Sequence, residues 1–109
     1  MPAGAVASIA HRISGVLLFL SLPFLAWLLD LSLQGGEGYE RAIALLQSTG
    51  VRLASVVLVW SLLHHLVAGI RFLLIDVHLG VSMPAARLSA WFANLAAALM
   101  ALLYAWWVL

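Results

Sequence analysis

Residues 64–76 read HHLVAGIRFLLID and residues 8–15 read SIAHRISG. Between them they carry three of the four histidines and two of the five arginines, so polar chemistry in this chain is concentrated in two short segments. A helix turns by about 100° per residue. His65, Gly69, Phe72 and Asp76 therefore share one stripe, while His64 and Arg71, seven apart, share a second stripe about 100° away. Neighbouring imidazoles that diverge in this way do not make a convergent pair for a tetrahedral metal site. One imidazole facing a glycine one turn later suits a different chemistry. An axial ligand to a haem needs one nitrogen aimed at iron and a flat space beside the helix, and Gly69 removes a side chain from that space. His65 fits this role geometrically. A histidine in such a helix can instead hydrogen-bond across helices or line a proton path, and spacing alone leaves the three readings open.

In the other segment Ser8 and Arg12 are four apart and His11 is three from Ser8, which puts them on neighbouring positions of one helical face. An arginine there can neutralise a haem propionate or donate to a quinone carbonyl, and a serine hydroxyl can donate to the same carbonyl. The plainer reading makes Arg12 a snorkelling anchor and Ser8 a helix N-cap. Arg71 and Asp76 are five apart, too far round for a same-face pair, and Arg71 belongs nearer the membrane surface than the hydrocarbon centre. His64 receives no catalytic role and faces headgroups, a neighbouring helix or a buried water. His78 is expected at the interface in a connection, and Asp30, Glu37 and Glu40 mark one end and its loop.

The elements that must position these residues are membrane helices. With 66% hydrophobic residues, 8% charged and a mean hydropathy of +1.16 over 109 residues, the chain is far too apolar for a soluble domain of its size. Three spans are expected, at about 10–33, 53–76 and 87–109, forming one transmembrane domain over 1–109. Pro23 is tolerable in the first because neighbouring helices can compensate for a lost backbone bond. Glu40 to Leu46 fits a short interfacial helix after Gly35, Gly36 and Gly38. The first apolar run is too long for the core of a signal peptide and no small-residue cleavage site follows it, so it reads as a true helix. Arg12, Arg71 and Arg87 at one side against Arg41 and Arg52 at the other favour a cytoplasmic N-terminus, with the Trp106–Trp107 pair anchoring the outer face. The alanine-rich third span can receive a close helical neighbour, from this chain or another. No lysine is present and the formal net charge is +1, which gives no support to nucleic-acid binding. Cysteine is absent, which excludes disulfides and thiolate ligands.

SIAHRISGV, residues 8–16, resembles the S-x-x-H-R-x-S/T-G signature of the cytochrome b anchor subunit of succinate dehydrogenase, and residues 64–76 resemble that family's H-x-x-x-G-x-R segment ending in Asp. Spacing and the three-span plan match as well, so the resemblance covers nearly the whole chain. It implies an all-α membrane protein, half of a heterodimeric haem-binding anchor bundle. By position it makes His65 the axial ligand to haem b iron, puts Ser8 and Arg12 at the ubiquinone pocket, sets His11 and Arg12 near the propionates and Gly69 beside the porphyrin. It also implies a second small anchor subunit supplying the other axial histidine, with FAD and iron–sulfur clusters confined to flavoprotein and iron–sulfur partner subunits. Succinate would be oxidised there, not on this chain, whose part would be ubiquinone reduction in the respiratory chain. The implied location is the bacterial cytoplasmic membrane, in preference to the mitochondrial inner membrane. Two departures stand out. The family's usual segment with an R-P-x-S-P-H-like motif does not precede Ser8, and Phe72 replaces a common histidine, removing a polar interfacial contact. A quinol:fumarate reductase anchor, or a structural or transport subunit without haem, are the competing expectations.

Overall fold

The structure is a computed structural model and describes residues 2–109. Four helices follow in order: α1 (Ala3–Ser32), α2 (Gly36–Gln47), α3 (Thr49–Asp76) and α4 (Met83–Val108). α1, α3 and α4 are long and apolar enough to cross a membrane. At ~1.5 Å per residue, the 30 residues of α1 reach beyond ~30 Å of hydrocarbon, so its ends project into the headgroup regions. α1 runs unbroken through Pro23 and starts at Ala3, well before the expected position 10. Ser8, His11 and Arg12 interrupt the apolar pattern there although the backbone is already helical. Ser8 consequently lies inside the helix and cannot be its N-cap. α3 and α4 likewise begin about a turn earlier than expected, at Thr49 and Met83.

The interior is built from small side chains. Ala90, Ala93, Ala97 and Ala101 form one buried stripe on α4, Ala3 and Ala7 of α1 cluster with Ala90, and Ser61 and Ala68 are buried on α3. Small residues let backbones approach closely, which is how helices associate where lipid offers no hydrophobic drive. Large side chains point outwards, as with Phe19 at 71% exposure and Trp106 at 89%, an arrangement suited to lipid and not to water.

Connections are short. α2 folds back on the end of α1, where Leu28, Leu31 and Ala42 form a small cluster. Gly38 sits so close to the Leu31 carbonyl that a Cβ there would collide with it. α3 ends in a Schellman arrangement, with Leu79 N–H donating to the Leu74 carbonyl and His78 N–H to that of Ile75. His78 takes the left-handed position at φ 63°, usually a glycine site, so its backbone terminates the helix.

Candidate functional site

α1 and α3 pack so that the SIAHRISG and HHLVAGIRF segments lie face to face. The His11 and His65 rings stack in parallel, with centroids 4.1 Å apart and planes 7° apart. Phe72 meets His11 edge-on at 5.3 Å. The aromatic ring that departs from the family pattern thus closes one side of the histidine stack.

Hydrogen bonds around His65 fix its tautomer. Ser14 Oγ–H donates to the His11 carbonyl at 2.8 Å, so the hydroxyl oxygen is left to accept. His65 Nδ1 lies 3.2 Å from that oxygen and 3.3 Å from the His11 carbonyl oxygen. Two acceptors on one ring nitrogen require Nδ1–H, which leaves the Nε2 lone pair uncommitted. A metal-ligating histidine is held in just this manner, its second nitrogen donating to a backbone carbonyl that orients the ring. No three His, Asp or Glu side chains converge among the described residues.

The glycines are arranged differently from the expectation. Gly69 was expected to clear a flat space beside His65, but that space is filled by the His11 ring, whose Nε2 would stand 3.6 Å from a Cβ on Gly69. A methyl group on Gly69 would meet that ring in ordinary van der Waals contact. The glycine that borders His65 is Gly15, where a Cβ would come within 3.2 Å of Cε1 and 3.5 Å of Nδ1. Gly15→Ala is therefore expected to push the His65 ring by a few tenths of an ångström against its bonds to Ser14 and His11, whereas Gly69→Ala makes only an ordinary contact. Visible and electron paramagnetic resonance spectra of the two variants check this. A Gly69 effect equal to or larger than that of Gly15 would contradict the packing described.

Ser8 is half-buried and Arg12 exposed, on the flank of α1 next to the His11–His65 stack. His64 faces away from all of this. It is 1% exposed, its ring rests on Trp60 at 5.4 Å, and Nε2 lies 3.0 Å from Asn94 Oδ1 on α4. The expected divergence of the two histidines is realised: His65 turns to α1 and His64 to α4. Arg71 shares the His64 side and donates from Nε to Ser89 Oγ at 2.9 Å and from Nη2 to the Ala86 carbonyl at 3.1 Å. It lines a cavity of about 590 Å³ with Pro2, Gly4 and Arg87 at the end where α1 and α4 begin. Arg41 lies on α2, at the opposite end, and Asp76 and His78 are exposed.

Three residues of the site stand outside the roles that motif and spacing give. Ser14 and Gly15 stand within the quoted signature, as its S/T-G pair, and a hydroxyl and a missing side chain three and four residues after His11 were the available signal. Asn94 was legible as the single asparagine of the chain, placed in the middle of an alanine-rich span.

Comparison with known proteins gives concordant results. Residues 1–105 match the family described as "Succinate dehydrogenase/Fumarate reductase transmembrane subunit". A succinate dehydrogenase cytochrome b556 subunit of Coxiella burnetii is 38% identical over 91 residues, 83% of this chain and 73% of that relative. Subunits of the same description from Rickettsia felis and Rickettsia prowazekii are each 32% identical over 84 residues, covering 77% of this chain and 64% of theirs. The chain thus spans somewhat under two thirds of the Rickettsia proteins.

Proposed function

The chain belongs to the succinate dehydrogenase/fumarate reductase transmembrane subunit family, and from that premise we propose that it binds haem b through His65 and forms part of a ubiquinone site with Ser8 and Arg12. It is a multi-pass protein of the bacterial inner membrane. The observation that carries the proposal is the pinned His65 ring, whose Nδ1–H is held by Ser14 and the His11 carbonyl while Nε2 stays free.

These residues suit a haem. His65 offers one oriented nitrogen, His11 braces the ring plane by stacking, and Arg12 supplies a cation for propionates. The group itself would supply a one-electron b-type redox centre. Because the relatives are named cytochrome b556, haem b is the form to expect. In this reading a histidine of another anchor subunit would complete the set of residues that hold the group. Large apolar side chains exposed on α1 and α3, among them Phe19, Leu62 and Leu66, offer surface for it.

Toward quinone, Arg12 orients and polarises a carbonyl through its guanidinium, and the Ser8 hydroxyl donates to the same oxygen. Both lie on α1 near the end where the bundle's N-terminus sits, taken as cytoplasmic. Peripheral iron–sulfur and flavoprotein subunits would dock on that side, and succinate would be oxidised at the flavin there. Protons for the quinone come in this scheme from water at the inner surface, without a relay of side chains in this chain. The three relatives are all succinate dehydrogenase subunits, which favours that direction over fumarate reduction.

A dithionite-reduced minus oxidised spectrum of the purified assembly, prepared with ample haem supply, tests the proposal. A b-type absorption band is expected. Its absence would leave the chain as a structural or transport subunit.

A further inference from the structure

α3 is apolar nearly all the way round. In water an apolar stripe sets how a helix is rotated about its own axis, but in lipid every face is equally accommodated, so hydrophobicity leaves the rotation of α3 undetermined. The rotation nevertheless decides the site, because a turn of about 100° would exchange the directions of His64 and His65.

Directional contacts on the α4 side resolve this. Ser61 and Ala68, three and four residues from His64 and so on its face of the helix, are fully buried, yet Ser61 Oγ donates to the Val57 carbonyl of its own helix, so neither residue makes a directional bond to α4. Arg71 does bond to α4, and Tyr104 of α4 donates from its hydroxyl to Ser55 Oγ at 3.0 Å, but each bond runs through a long side chain that can follow a modest rotation. His64 is short and fully buried. Its Nε2–H donates to Asn94 Oδ1 at 3.0 Å, and Asn94 Nδ2 in turn points to the Ala3 carbonyl of α1 at 3.5 Å. The three spans thus meet through one asparagine.

His64 is a costly way to fill this position. Its Nδ1 is the one buried side-chain nitrogen or oxygen among the described residues that lacks a partner. A leucine would fill a helix interface without that penalty. A polar pair that is poor as a source of stability is explained by the direction it imposes.

We propose that His64 and Asn94 form a rotational clasp between α3 and α4, which sets the direction in which the next residue, His65, presents its free nitrogen. His64 is thereby a positioning residue that acts through His65. The inference rests on the haem reading of His65.

His64→Leu, Asn94→Leu, the double variant and His64→Gln, each in the complete complex, provide the test. Haem content and the low-spin electron paramagnetic resonance signal are read, the latter because it responds to axial-ligand orientation. Either leucine variant is expected to weaken haem retention about tenfold or more, in the range seen when a ligand loses its orienting partner, and to shift the low-spin signal. The double variant should be no worse than either single one. His64→Gln keeps an N–H donor for Asn94 and should stay close to the unmodified complex. Unchanged signals in both leucine variants, additive effects in the double variant, or equal damage from glutamine and leucine would overturn the clasp while leaving His65 as ligand. A complex with no b-type signal before any substitution would overturn both.

Discussion

Replacing His65 with alanine in the assembled complex is expected to remove the b-type spectrum, with haem retention falling by more than the roughly 10- to 100-fold that loss of an orienting partner costs a metal site. The alanine variant removes the ligand nitrogen itself, together with the ring that stacks on His11 at 4.1 Å and accepts the restraint of Ser14. Ser14→Ala provides a graded comparison. It deletes one acceptor at Nδ1 and leaves the His11 carbonyl at 3.3 Å, so the ring stays in the same tautomer with looser orientation. A smaller loss is therefore expected from Ser14→Ala than from His65→Ala. Haem-to-flavin ratio in the purified complex is the measurement, since flavin reports assembly independently of the membrane site. A His65→Ala complex that keeps its full haem complement would show that another residue binds the iron.

Arg12→Ala is expected to lower succinate:quinone reductase activity by roughly 10- to 100-fold, the equivalent of losing one charge-assisted hydrogen bond of about 1.5–3 kcal/mol. Oxidation of succinate with an artificial acceptor that draws electrons from the peripheral subunits should be unaffected. The separation follows from position: Arg12 is exposed on α1, so its removal disturbs little packing. Arg12→Lys should fall between the two, because it keeps the charge and loses the planar fork of donors. Equal quinone reductase activity in the unmodified and alanine forms would remove Arg12 from the site. A parallel fall with the artificial acceptor would instead place its effect in assembly.

Two kinds of information separate here. The divergence of His64 and His65 needed only the angle between consecutive residues on a helix, a local property, and it holds in the fold. The three spans were equally legible, because their apolar length is set by bilayer thickness and not by any partner. The start of α1 was not, since Ser8, His11 and Arg12 interrupt the apolar pattern although the backbone is already helical from Ala3. Gly69 shows the same limit at the site. Its spacing from His65 is a fact of the sequence, but what occupies the space over it depends on α1, and His11 occupies it. Gly15 could be recognised as the neighbour of His65 only once the two helices were placed together.

The sequence by itself thus determined which residues share a stripe, how many helices cross, and which family the motifs resemble. Tertiary structure alone decided which helix each stripe faces. In lipid an apolar surface does not distinguish one face of a helix from another, so that choice falls to close approach at small residues and to directional bonds such as His64 to Asn94 and His65 to Ser14.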